Sequence, residues 1–140
     1  MKQVIIGVGN EYRGDDAAGL VAARRLGEDA IESSGDGAAL MEAWRGADAV
    51  IVIDAACSRS PAGTIHRFDA NERELPREAF PSTHAFGLAE AVELSRALGE
   101  LPRRMIIYAV EGAGFDTGAG LSPEVEGAIG LLLERIRQEA

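Results

Sequence analysis

The stretch that most constrains this chain is its opening, Val4-Ile5-Ile6-Gly7-Val8-Gly9-Asn10-Glu11-Tyr12-Arg13-Gly14-Asp15-Asp16. A short apolar run predicts a buried strand. A glycine-rich turn follows, and then Ala17 to Leu26 reads as a helix. Strand, glycine turn and helix usually make an anion site, because free N–H groups at the helix start point outward. Here the turn carries two carboxylates where a phosphate would lie. Gly7 and Gly9 begin a dinucleotide fingerprint, but Tyr12 stands where its third glycine belongs. Gly9 and Gly14 have the spacing of a phosphate-binding loop, but Asp15 and Asp16 replace its Lys and Ser/Thr. Two anions in place of a cation favour a metal ion or a protonated group. One carboxylate suffices to cap the helix. Asp15 is read as that cap and Asp16 as the ligand, with simple capping as the plain alternative.

Further along, apolar runs alternate with helical patterns. Ile31 to Ser34 predicts a short strand and Ala38 to Trp44 a short helix. Ala49 to Asp54 is nearly continuous in β-branched residues, as expected for a strand covered on both faces, and it ends in an acid. Cys57 to Gly63 is a loop. Thr64 to Phe68 alternates, predicting an edge strand with one wet face on which His66 reads as solvated. Asp69 to Pro81 is polar with two prolines and reads as a surface connection. Ser82 or Thr83 is the expected cap of a helix running to about Leu98, with Leu88, Ala91, Val92 and Ser95 on one face. Arg104 to Val110 is the last strand, followed by Glu111 and a glycine-rich loop, Gly112 to Gly120. Ser122 caps the final helix, Pro123 takes its first position, and Val125, Ala128, Ile129, Leu132 and Ile136 form its buried stripe.

This alternation, without repeats or a linker, predicts a single α/β domain over residues 1–140. The expected form is a three-layer sandwich with a mainly parallel sheet and helices on both faces. Strand ends then meet at one rim, where open α/β sheets bind ligands. Asp16, Asp54 and His84 fall on that rim, with His84 expected in the first turn of the third helix. Two carboxylates and one imidazole suit a borderline divalent ion such as zinc or nickel. The plain alternative makes Asp54 a turn cap and His84 a half-exposed polar residue.

Other chemistries find less support. A net charge of −9 disfavours nucleic acid and anionic membrane surfaces. A single cysteine, Cys57, excludes an internal disulfide and a cysteine zinc site, and fits a reducing cytoplasm. No leader precedes the first strand, and no apolar run reaches the roughly 18 residues of a membrane span. Cys57 has no histidine beside it in sequence, and Ser58, Ser60 and Ser82 lack a nucleophile elbow.

Four stretches together resemble the hydrogenase maturation endopeptidases. They are Gly7-Val8-Gly9-Asn10 with Gly14-Asp15-Asp16 and Gly19, and Val52-Ile53-Asp54-Ala55 with Pro61-Ala62-Gly63-Thr64. Ser82-Thr83-His84 with Gly87-Leu88 and Gly120-Leu121-Ser122-Pro123-Glu124-Val125 complete the set. The resemblance spans nearly the whole chain. It implies a five-stranded twisted sheet, with Asp16, Asp54 and His84 as the positions that bind metal and carry catalysis. It also implies a monomer acting on the large-subunit precursor of a nickel–iron hydrogenase. The nickel is supplied by that precursor, and a C-terminal extension is removed; zinc or cadmium could occupy the same site. Two features depart from the family pattern. Gly112 follows Glu111 where a proline is common, which leaves Glu111 without an assigned role. The family's glycine turn after the second strand appears only as Ser34-Gly35-Asp36-Gly37. A non-catalytic nickel-sensing or assembly chaperone on the same fold is the runner-up. A nucleotide-binding flavodoxin-like module is disfavoured by Asp15 and Asp16.

Overall fold

The computed structural model describes residues 1–81 and 83–140. Its strands are β1 (Gln3–Val8), β2 (Ile31–Ser33), β3 (Ala49–Ala56), β4 (Ile65–Asp69) and β5 (Arg104–Glu111). Its α-helices are α1 (Ala18–Leu26), α2 (Gly37–Trp44), α3 (Leu88–Ala97) and α4 (Pro123–Glu139). The strands form one five-stranded sheet in the order β2-β1-β3-β5-β4. The first four in that order run parallel, and β4 closes the edge antiparallel to β5.

Alternation along the strands sorts side chains onto two faces. Ile6, Val50, Val52, Met105 and Ile107 pack with Leu40 and Trp44 of α2 and Leu88 and Val92 of α3. Ile5, Ile51, Ile53, Ile106 and Tyr108 pack with Ala18 and Ala22 of α1 and with Val125, Ile129, Leu132 and Ile136 of α4. The sheet is therefore the middle of three layers. Every residue of β3 is buried, which is why its sequence is apolar without alternation.

The first glycines set how closely α1 lies on the sheet. A Cβ on Gly19 would stand 2.3 Å from the carbonyl oxygens of both Val8 and Ile53. A Cβ on Gly9 would stand 2.0 Å from the carbonyl oxygen of Asp16. Only hydrogen fits at either place, so the turn after β1 folds flat over the strand ends. Asp16 is thereby held at the rim on a single 3-10 turn, Gly14–Ala17.

Two expectations fail. The third helix begins at Leu88 rather than near Thr83; a cap at Ser82 lies outside the described residues. Phe86 is engaged by a distant residue, and Gly87 is held by the first turn of α3 itself. Phe86 O accepts from Gly37 N at 2.8 Å, and Gly87 N donates to Glu90 Oε1 at 2.9 Å. His84 consequently lies ahead of α3, outside any helix. The connection from Asp69 to Pro81 is also more than surface. Ala70 and Leu75 are buried against the α2/α3 side of the core, and Ala79 is buried as well. Among the described residues, no helix is long and apolar enough to cross a membrane.

Candidate active site

Asp16, Asp54 and His84 come from three separate segments and line one cleft of about 190 Å³, together with Gly9, Asn10 and Ser34. A hollow of about 370 Å³ opens elsewhere between Gln3 and Ile136, but its charged residues Asp29 and Arg137 are exposed. The smaller cleft holds the buried ionisable groups.

Asp54 is 4% exposed, on β3 two residues before its end. One of its oxygens, Oδ1, accepts from the N–H of Ala55 at 2.7 Å. Burial first, and then the negative charge of Asp16, push its carboxyl well above the ordinary range, against the pull of that N–H. Asp16 is also raised, chiefly by burial; Arg13, a bond from Asn10 and His84 act against it. Arg13 Nη1 lies 3.4 Å from Asp16 Oδ2 and also donates to Pro81 O at 3.2 Å. His84 Nε2 lies 3.1 Å from the carbonyl oxygen of Ser34. A carbonyl can only accept, so Nε2 carries a hydrogen. The three side chains share the cleft without forming a finished cage. Among the described residues, no three His, Cys, Asp or Glu side chains converge tightly enough to hold an ion. The donor chemistry nevertheless fits a divalent cation, because the two carboxylates repel each other and a cation between them removes that cost.

Asp15 does not cap its own helix. It is fully buried, and Oδ2 accepts from Ala113 N at 2.7 Å and Gly114 N at 3.2 Å, while Oδ1 accepts from Ser122 N at 2.7 Å. Burial alone would raise its carboxyl, but these N–H donors together hold it below the ordinary range. Its partners lie about a hundred residues away, beyond what a local capping pattern can show.

His66 is not simply solvated either. Its Nε2 lies 3.0 Å from Glu111 Oε1, and Glu111 also accepts from Ser58 Oγ at 2.6 Å and Ser58 N at 2.7 Å. Asp54 and His66 both pair with Ala109, and Glu111 pairs with Ala56, so all three project from the α2/α3 face of the sheet. Glu111 is the buried residue to which the sequence reading attached no role. The signal for it was present, since an acid closes β5 as another closes the apolar run of β3.

The family model described as hydrogenase maturation protease, HycI, matches residues 28–139. The chain belongs to the hydrogenase maturation proteases. It is therefore a peptidase of that family. It is 29% identical to the hydrogenase 2 maturation protease of Escherichia coli K12, over 97% of this chain and 88% of that one. The NiFe hydrogenase maturation protease HybD of Thermococcus kodakarensis superposes with a TM-score of 0.81 at 28% identity. That match covers 100% of this chain and 99% of the other. The maturating endopeptidase HybD of E. coli superposes with a TM-score of 0.82 at 25% identity, covering 97% and 90% of the two chains. Membership accounts for the fold. The family model reaches Asp54 and His84, while Asp16 precedes its first matched residue.

Proposed function

We propose that this protease removes the C-terminal extension of a hydrogenase large-subunit precursor that already carries nickel. In this reading the metal belongs to the substrate, and Asp16, Asp54 and His84 are the side chains that meet it. The observation that carries the reading is the shared cleft, in which a buried carboxyl and a second acid lie beside an imidazole. A divalent ion next to a peptide bond polarises its carbonyl toward attack by water. The chain's own part is to orient. Burial and the charge of Asp16 push the Asp54 carboxyl well above the ordinary range, so a cation arriving beside it favours its charged form. The Ser34 carbonyl holds the His84 ring in one orientation. In this reading one copy of the chain acts on one precursor in the cytoplasm.

The test uses a nickel-loaded and a nickel-free large-subunit precursor, with the mass of the large subunit as readout. The wild-type chain should shorten only the loaded precursor. Asp54→Asn, which keeps the size of the side chain, should leave it uncut. Equal cutting of both precursors, or normal cutting by Asp54→Asn, overturns the reading.

A further inference from the structure

Arg13 has no part in the reading so far, yet its position is unusual. It stands just before the 3-10 turn that carries Asp16, and one nitrogen, Nη1, reaches both Asp16 Oδ2 and the carbonyl oxygen of Pro81. Pro81 lies 68 residues away in the segment that leads to His84. A single guanidinium thus joins the carboxylate of the first rim loop to the strap bearing the imidazole. Its side chain is 27% exposed and that of Asp16 is 9% exposed, so the pair lies at the edge of the cleft.

Arginine stays protonated in proteins, and the cleft therefore keeps a permanent positive charge beside its two acids. A bare divalent ion approaching Asp16 must displace N–H donors and overcome like-charge repulsion in a partly buried place, where screening is weak. An ion held by anionic side chains of a protein substrate carries less net charge and is repelled less. Contacts made elsewhere by a docked substrate can also offset the displacement. The guanidinium is on a long stem and is weakly hydrated, so it can swing into solvent when displaced.

We propose that Arg13 is a displaceable counter-ion that sets the selectivity of the cleft. It occupies Asp16 while the cleft is empty, disfavours free metal ions, and yields to an ion delivered by a docked substrate. This inference rests on Asp16, Asp54 and His84 being the donor set.

The experiment is a calorimetric titration of the purified chain with cadmium, zinc and nickel salts, without precursor, at low ionic strength. Arg13→Gln should bind cadmium about tenfold more tightly than the wild type, since one displaced charge contact need supply only one decade of affinity. Arg13→Lys, which keeps the charge, should stay near the wild type. The gain should vanish when Asp54→Asn is added to Arg13→Gln. If Arg13→Gln melts early, Arg13→Met preserves the packing of the stem and repeats the comparison. No gain in the neutral variants, or an equal gain in Arg13→Lys, overturns the counter-ion. If Asp54→Asn weakens binding in every background while neutral variants show no gain, the donor set stands and Arg13 alone is refuted. If Asp54→Asn leaves the tightened binding intact, the donor set itself is wrong, and the counter-ion falls with it.

Discussion

Four buried acids stand at the same rim, and their hydrogen bonds divide them into two pairs. Asp15 and Glu111 are each held in the charged form by several donors. Asp16 and Asp54 are buried with fewer donors and lie near enough to repel each other. The first pair is structural, and the second is left in an unfavourable state that a cation would relieve. Opposite stability effects follow. Glu111→Ala leaves the Ser58 N–H, the Ser58 hydroxyl and His66 without their acceptor, and should cost about 2–4 kcal/mol in urea unfolding. Asp54→Asn should leave the urea midpoint unchanged or raise it, because it removes a repulsion. A large loss from Asp54→Asn, or none from Glu111→Ala, contradicts this division. In the sequence the two residues look alike, each an acid at the end of an apolar run. They differ because the loop after β3 folds back to place Ser58 on Glu111 and β4 brings His66 to it, whereas Asp54 has Asp16 beside it.

Among the elements, the loop between β5 and α4 depends most on a distant residue. Asp15 accepts the N–H groups of Ala113, Gly114 and Ser122, and Ser122 in turn caps α4 by accepting from Val125 N at 3.3 Å. The loop and the first turn of α4 therefore hang on one carboxylate. Replacing it in Asp15→Ala should cost about 2 kcal/mol, and amide exchange at Gly114 and Ser122 should accelerate by about tenfold or more. Amides in the middle of β3 should stay protected. Uniform acceleration across both regions would mean that Asp15 supports the whole fold instead of this loop. The cap at Ser122 and Pro123 at the first helical position were readable from sequence because both are local. The late start of α3 was not, because residues ahead of it bond to distant partners, Phe86 to Gly37 and Pro81 to Arg13.

Across the whole molecule, α4 is fastened at its far end by one more carboxylate. Glu139 accepts from Arg67 of β4, from Arg104 of β5 and from the Tyr108 hydroxyl at 2.7 Å. Its carboxyl is held down to about 2, first by the Arg67 bond and against the effect of burial. A depressed carboxyl stabilises the fold above its unfolded value near 4.5 and loses that contribution as pH falls toward 2. Both arginines are largely exposed, so screening limits the contribution to about 1–2 kcal/mol. Glu139→Gln should unfold at lower urea than the wild type at pH 7, and the gap should close as the pH is lowered through this window. A gap independent of pH would remove the ionic part of the argument.

The order of elements, the parallel core of the sheet and the rim on which Asp16, Asp54 and His84 meet are legible in the sequence, because hydrophobic periodicity and cap residues act over a few neighbouring positions. Periodicity shows which face of an element is buried. It does not show which distant segment comes to lie across from it. The tertiary structure alone brings Ser58 and His66 onto Glu111, ties the last loop to Asp15, and puts Arg13 between Asp16 and Pro81. Each of these contacts joins atoms far apart along the chain, and each forms only once the layers have packed.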